Sequence, residues 1–175
     1  MDALGTFIVP SGGQASITFA SIPQTYTHLH IRGIQKATNS YNQGMSLYLN
    51  VGASNTIDSG NNYENHQTAG NGNGSGVGSA GSTGQSKIGA QSVAGDGNSS
   101  DNYMFGSSVI DILDYTNTNK YKVVRIFAGV DMNTTGGGVC LASGLWLSTS
   151  AINTIQFTTE GNFQQYSSFS IYGVK

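Results

Sequence analysis

Charged side chains are scarce in this chain. They make up 9 % of its 175 residues, where a soluble domain ordinarily carries about 25 %. With Lys and Arg numbering 7 and a net charge of −2, the chain lacks the basic groove that neutralises a run of phosphates. Lys120, Lys122 and Arg125 are the one close group of basic residues, and no nucleic-acid partner is expected. Long apolar runs are missing as well. None approaches the ~20 residues of a membrane-spanning helix, so no membrane partner is expected. Met1-Asp2-Ala3-Leu4 shows neither the basic segment nor the apolar stretch of a secretory leader, which points to synthesis in a cytoplasm. The lone Cys140 cannot pair within the chain, in keeping with a reducing compartment. It stands in Gly138-Val139-Cys140-Leu141, with no His or basic residue beside it, and reads as a small core residue.

Gly, Ser, Thr, Asn and Gln fill the space that charge leaves, with Gly at 25 residues and aromatics at 10 %. Disordered chains are charged and poor in aromatics, so this one is expected to fold. Its length suits one domain that buries roughly two thirds of its unfolded-chain surface without disulfides or metal. A surface poor in charge and rich in Asn, Thr, Ser and Tyr suits contact with copies of the same chain, because little charge must be desolvated.

Strand signals dominate. Segments 5–9, 15–20, 28–35, 45–51, 63–68, 104–113, 121–130, 139–147, 152–159 and 168–174 are short, rich in β-branched or aromatic residues, and bounded by turn formers. No segment has helical spacing. Alternation predicts Leu29 and Ile31 on an inner face, with His28, His30 and Arg32 opposite. Leu47, Leu49 and Val51 align inward, as do Ile155 and Phe157. The runs Val109–Leu113 and Val123–Phe127 are apolar on both faces. They should be covered on both sides, once by a second sheet and once by something else, such as a neighbouring subunit.

Residues 69–100 are nearly all small and polar, a composition that buries too little to offset its ordering entropy. A flexible loop or arm is expected there, with a weak strand around Lys87–Val93 as the alternative. The pattern leads to an all-β fold: a two-sheet antiparallel sandwich, jelly-roll-like, as a single domain over 1–175 with a flexible insertion at 69–100. An immunoglobulin-like sandwich is the competing architecture, without the Cys…Trp…Cys spacing that would mark it.

Chemistry is hard to assemble from these residues. His28 and His30 share a strand face and could share a metal, but Gln35 stands where a cupin-like site would place a Glu, and Leu29 and Ile31 claim the inner face. Asp111 and Asp114 are three apart, which on a strand points them to opposite sides. Asp96-Gly97-Asn98 and Asp101-Asn102 supply oxygens for a loop Ca²⁺ site, without EF-hand spacing. No Gly-x-Ser-x-Gly elbow lies between a strand and a helix. The expectation is no enzyme, no cofactor and no resident metal. The 9 Tyr residues suit binding surfaces, since each joins rigid contact area to a polar tip.

Four stretches resemble small virion proteins of tailed bacteriophages. They are Ala20–Gly33, Val109–Tyr115 running into Lys120-Tyr121-Lys122, Gly144–Thr149, and the closing Ile171-Tyr172-Gly173-Val174-Lys175. The resemblance implies a virion structural protein made in the host cytoplasm: a head decoration (cement) protein, or else a tail-fibre or tail-tip module that binds a receptor carbohydrate. It brings no catalytic residues. The partners it implies are copies of the chain itself, as a homotrimer, and the major capsid protein or another virion protein. Candidate contacts are Phe7 and Val9 on the first strand, which could add to a sheet edge, and Tyr63 and Tyr103 as aromatic loop tips.

Overall fold

In a computed structural model of the chain, residues 1–39, 43–49, 56–71, 76–95, 103–131 and 137–175 are described. They form twelve strands and no helix: β1 (Asp2–Ile8), β2 (Gln14–Phe19), β3 (His28–Ala37), β4 (Gln43–Leu49), β5 (Tyr63–Asn71), β6 (Val77–Gln85), β7 (Ile88–Gly95), β8 (Gly106–Leu113), β9 (Lys122–Asp131), β10 (Gly137–Trp146), β11 (Ile155–Phe163) and β12 (Ser168–Val174). The expected all-β, antiparallel character holds. The strands join in one sheet, nearly closed into a barrel-like shape, in the order β2-β11-β4-β7-β3-β8-β9-β10-β5-β6, with β12 beside β3 and β1 beside β12. One short contact is parallel, Lys36 and Ala37 of β3 against Ala94 and Gly95 of β7.

Alternation places the core. In β9, Lys122, Val124, Ile126, Ala128 and Val130 are buried while Val123, Arg125 and Phe127 are exposed. Leu29 and Ile31 point inward as expected, and so do Leu47, Leu49, Ile155 and Phe157; Val51 lies outside the described residues. Phe157 stacks on Phe169, which meets Phe163 edge-on. Cys140 is a buried core residue.

The flexible loop expected over 69–100 is corrected where the segment is described: it contains the end of β5, all of β6 and all of β7, the last in agreement with the alternative of a strand around Lys87–Val93, while residues 72–75 and 96–100 lie outside the described residues. β7 pairs with β4, Leu47 opposite Ile88, and the Ile88 side chain is wholly buried. It lies directly over Gly144 of β10, where an added Cβ would come within 2.6 Å of Ile88. Gly144 is therefore required by close approach across the core, not by its backbone angles. Gly144→Ala is expected to destabilise the fold by about 1–3 kcal/mol through overpacking, and by less in an Ile88→Ala background, because the two positions share one space. Chemical unfolding of the three variants measures that coupling.

The double coverage expected for β8 and β9 is found on one side within the chain. Their inner faces are buried, and on their outer faces Val109, Val123 and Phe127 stand exposed among the described residues.

Candidate functional site

In antiparallel pairs, residues directly opposite share a face, so the register defines what the outer side presents. One row runs Arg32–Val109–Phe127–Leu141–Thr68 across β3, β8, β9, β10 and β5. The next runs Ile34–Ser107–Gly129–Val139–Gly70 and continues to Val77 of β6. Val123 and Ile8 stand on the same side. Phe127 is 59 % exposed, Leu141 60 % and Val139 56 %. Among the described residues, Met1, Tyr103, Tyr121 and Tyr166 are the exposed large apolar side chains outside this set. A contiguous apolar face of this kind is what interaction surfaces look like.

A polar row borders it. His30 Nδ1 lies 2.8 Å from Asp111 Oδ1, Arg125 Nη2 donates to Asp111 Oδ2 at 3.3 Å, and Arg32 Nε donates to His30 Nε2 at 3.3 Å. Further along, an open depression is lined by Val123, Arg125, Leu141, Ser143 and His66. Exposed ion pairs such as Arg125–Asp111 contribute little stability, about 0–1 kcal/mol, so this row serves the surface rather than the fold.

The His28/His30 pair does sit on the outer face, each imidazole against a different carboxylate, His28 near Asp114 and His30 on Asp111. Asp111 and Asp114 were expected on opposite sides, and that is corrected. β8 ends at Leu113, and Asp114 adopts a left-handed φ of 49°, which turns it back toward His28. Its bond from Lys120 lowers the Asp114 pKa, with smaller support from the charges of Lys120 and His28. The three neighbouring basic residues separate: Lys120 pairs with Asp114, Arg125 with Asp111, and Lys122 is buried, donating to the carbonyls of Lys120 and Thr149. Among the described residues no group of three or more His, Cys, Asp or Glu could hold a metal. The oxygens of Asp96–Asn98 and Asp101-Asn102 lie outside those residues.

The four contact candidates divide. Tyr103 stands out from the surface, 89 % exposed, and Phe7 is half-buried against the core. Val9 and Tyr63 are buried, which corrects their reading as contact residues. Val9 is held by backbone bonds to Ser167 and Tyr166. The Tyr63 hydroxyl accepts from the Leu49 amide at 3.0 Å and lies within bonding distance of the carbonyls of Leu49 and Asp58. Burial raises its pKa well above the usual phenol range. Tyr63→Phe should cost about 1–3 kcal/mol, since it orphans buried backbone groups, as read from urea unfolding. Phe127 and Leu141 carry the face, yet only the first fell in a run noted as apolar on both sides. The Val139-Cys140-Leu141 run held the same signal.

Among the described residues, fold and face together define an all-β protein whose antiparallel sheet leaves an apolar surface exposed. Comparison with family models, with curated proteins and with solved structures finds no match to the chain.

Proposed function

We propose that this chain is a structural subunit of a bacteriophage particle, a decoration (cement) protein that binds the head as an oligomer. The observation that carries the reading is the bare apolar face of β8, β9 and β10, centred on Phe127 and Leu141. A soluble monomer rarely leaves so large a patch in water, and a subunit of an assembly has neighbours to cover it. Low overall charge and the four stretches that resemble phage virion proteins agree with it. The proposed oligomer is a homotrimer, and the capsid surface is its second partner. Binding would stabilise the head by mass action, and an oligomer that bridges several capsid subunits gains from effective concentration even where single contacts are weak.

A jelly roll goes with this proposal. β2-β11-β4-β7 and β3-(β8-β9)-β10-β5-β6 follow the alternating order of a double Greek key, with the β8–β9 hairpin inserted into the second set.

Tyr103 favours a second reading, a tail module whose exposed aromatic stacks on sugar. Quantitative mass spectrometry of purified virions separates the two. Decoration of a symmetric lattice predicts on the order of hundreds of copies per particle, and about a dozen would overturn it in favour of the tail.

A further inference from the structure

We infer that the open depression where β9, β10, β5 and β6 lie side by side is a binding site for a carboxylated sugar unit. The inference goes beyond the subunit reading and does not rest on it, since no contact with the particle enters the argument.

The register builds the site. Arg125 of β9, Ser143 of β10 and His66 of β5 stand directly opposite one another, with Gly81 of β6 next in the row. Arg125 and His66 are therefore two inter-strand spacings of ~4.8 Å apart, with only the small Ser143 between them. A Cβ at Gly81 would come within 2.6 Å of His66 Cδ2, so it is the missing side chain that lets the imidazole lie across β6. Leu141 and Val123 close the two sides, and Thr68 and Ser79 continue the row of Leu141 with hydroxyls. The depression holds about 610 Å³, inside the ~300–1,000 Å³ of small-molecule sites. It occupies the β5 and β6 flank of the apolar face, and Leu141 is their common border.

The chemistry of the lining selects the ligand. Hydrogen-bond donors predominate, and no Asp or Glu is among the described residues that line the depression. The Arg125 side chain donates one bond, from Nη2 to Asp111 at 3.3 Å. Neither ring nitrogen of His66 has a partner among the described residues. Asp111 is itself held by His30, and Glu64 stands one row away, opposite Leu145. A guanidinium fork with donors left over matches the two oxygens of a carboxylate, which it binds through parallel bonds. The hydroxyls of Thr68, Ser79 and Ser143 donate and accept, as the hydroxyls of a sugar do. Leu141 and Val123 offer apolar contact to the C–H edge of its ring. A carboxylate on a hydroxylated ring meets all three demands. A neutral sugar leaves the fork unanswered, and an acid on a hydrocarbon ring leaves the hydroxyls so.

Glucuronate, glucose and cyclohexanecarboxylate separate these demands on rings of one size. Each is titrated into the full chain and followed on the histidine ring resonances by NMR, with His66 assigned from the spectrum of His66→Gln. Glucuronate is expected to shift the His66 signals saturably, with a dissociation constant on the order of 1 mM, as suits so small a ligand on an open surface. Glucose and cyclohexanecarboxylate should bind at least about 10-fold more weakly. Arg125→Gln, and Ser143→Ile, which fills the floor, should each weaken glucuronate by at least about 10-fold. Arg32→Gln removes the same charge from the same face two strands away and should leave binding unchanged. Circular dichroism reports the fold, and Gly81→Ala, which displaces only the His66 ring, is the milder variant should Ser143→Ile disturb it. Equal binding of cyclohexanecarboxylate would reduce the site to a general anion contact, and equal binding of glucose would remove the acid; either overturns the inference. So would glucuronate that never saturates, folded depression variants that keep the parent's affinity, or an Arg32→Gln loss as large as that of Arg125→Gln. The functional proposal fails separately, on the copy number of the chain in the virion, which none of these titrations reads.

Discussion

Ile88→Ala is expected to lower the unfolding free energy by about 2–5 kcal/mol, the range for truncating a fully buried aliphatic side chain. The residue lies in a stretch that composition marks as a loop, yet it is wholly buried, paired across from Leu47 and seated on Gly144. Truncation would open a cavity between β7 and β10 that rigid strands on both sides cannot close. Replacing residues 76–95 by a short Gly-Ser linker should be worse still, because it removes β6 and β7 whole, unpairs the edges of β4 and β5 and strips Ile88 from over Gly144 of β10. Loop length itself costs little, so a large loss would come from the missing strands. Urea titration followed by circular dichroism measures both. A shortened chain that unfolds with the parent's midpoint would show these strands to be dispensable.

Asp58→Ala is expected to destabilise the fold by about 1–3 kcal/mol, the cost of leaving a buried donor unsatisfied. The Asp58 carboxylate accepts from the indole of the fully buried Trp146 at 2.8 Å, from the Gly60 amide and from Asn62. Its backbone carbonyl meets the Tyr63 hydroxyl at 2.9 Å. Burial pushes the Asp58 pKa upward, but the bonds from Trp146, Gly60 and Asn62 outweigh it and hold the carboxyl below its ordinary value. A carboxyl with a lowered folded-state pKa contributes stability that is present above its unfolded value of about 3.9. That contribution is lost as pH falls through the folded value. Acid unfolding below about pH 4 should therefore be shallower in Asp58→Ala than in the parent. At the other extreme, the raised pKa of Tyr63 keeps its contribution intact below the unfolded phenol value of about 10. It is lost as pH climbs from there toward the folded value. The alkaline loss at this position should vanish in Tyr63→Phe. Melting temperatures across pH 2–12, an interval wide enough to cross both unfolded values, test both limbs.

Much of the fold is legible in the chain before any coordinates, because side-chain direction in a strand alternates with period two whatever the neighbours are. Ten strands and the inward placement of Leu29, Ile31, Leu47, Ile155 and Phe157 follow from that local rule. So does the suspicion that Val109–Leu113 and Val123–Phe127 have two apolar sides. Scarcity of charge, with the few basic residues scattered, is likewise a property of composition alone.

What the tertiary structure alone decided concerns residues whose state is set by partners distant in sequence. Gly, Ser and Ala give β6 no strand signal and β7 only a weak one around Lys87–Val93, since their own burial cannot offset ordering; pairing with β5 and β4 and the anchoring of Ile88 over Gly144 supply what they lack. Tyr63 reads as a loop tip until Leu49 and Asp58 are seen around its hydroxyl, and Asp114 reads as a strand residue until its left-handed turn brings it to His28. The apolar face is the clearest case. Each of Val109, Phe127, Val139 and Leu141 is ordinary in its own strand. Only hydrogen-bond register, which no local pattern specifies across three strands, sets them side by side on one exposed surface.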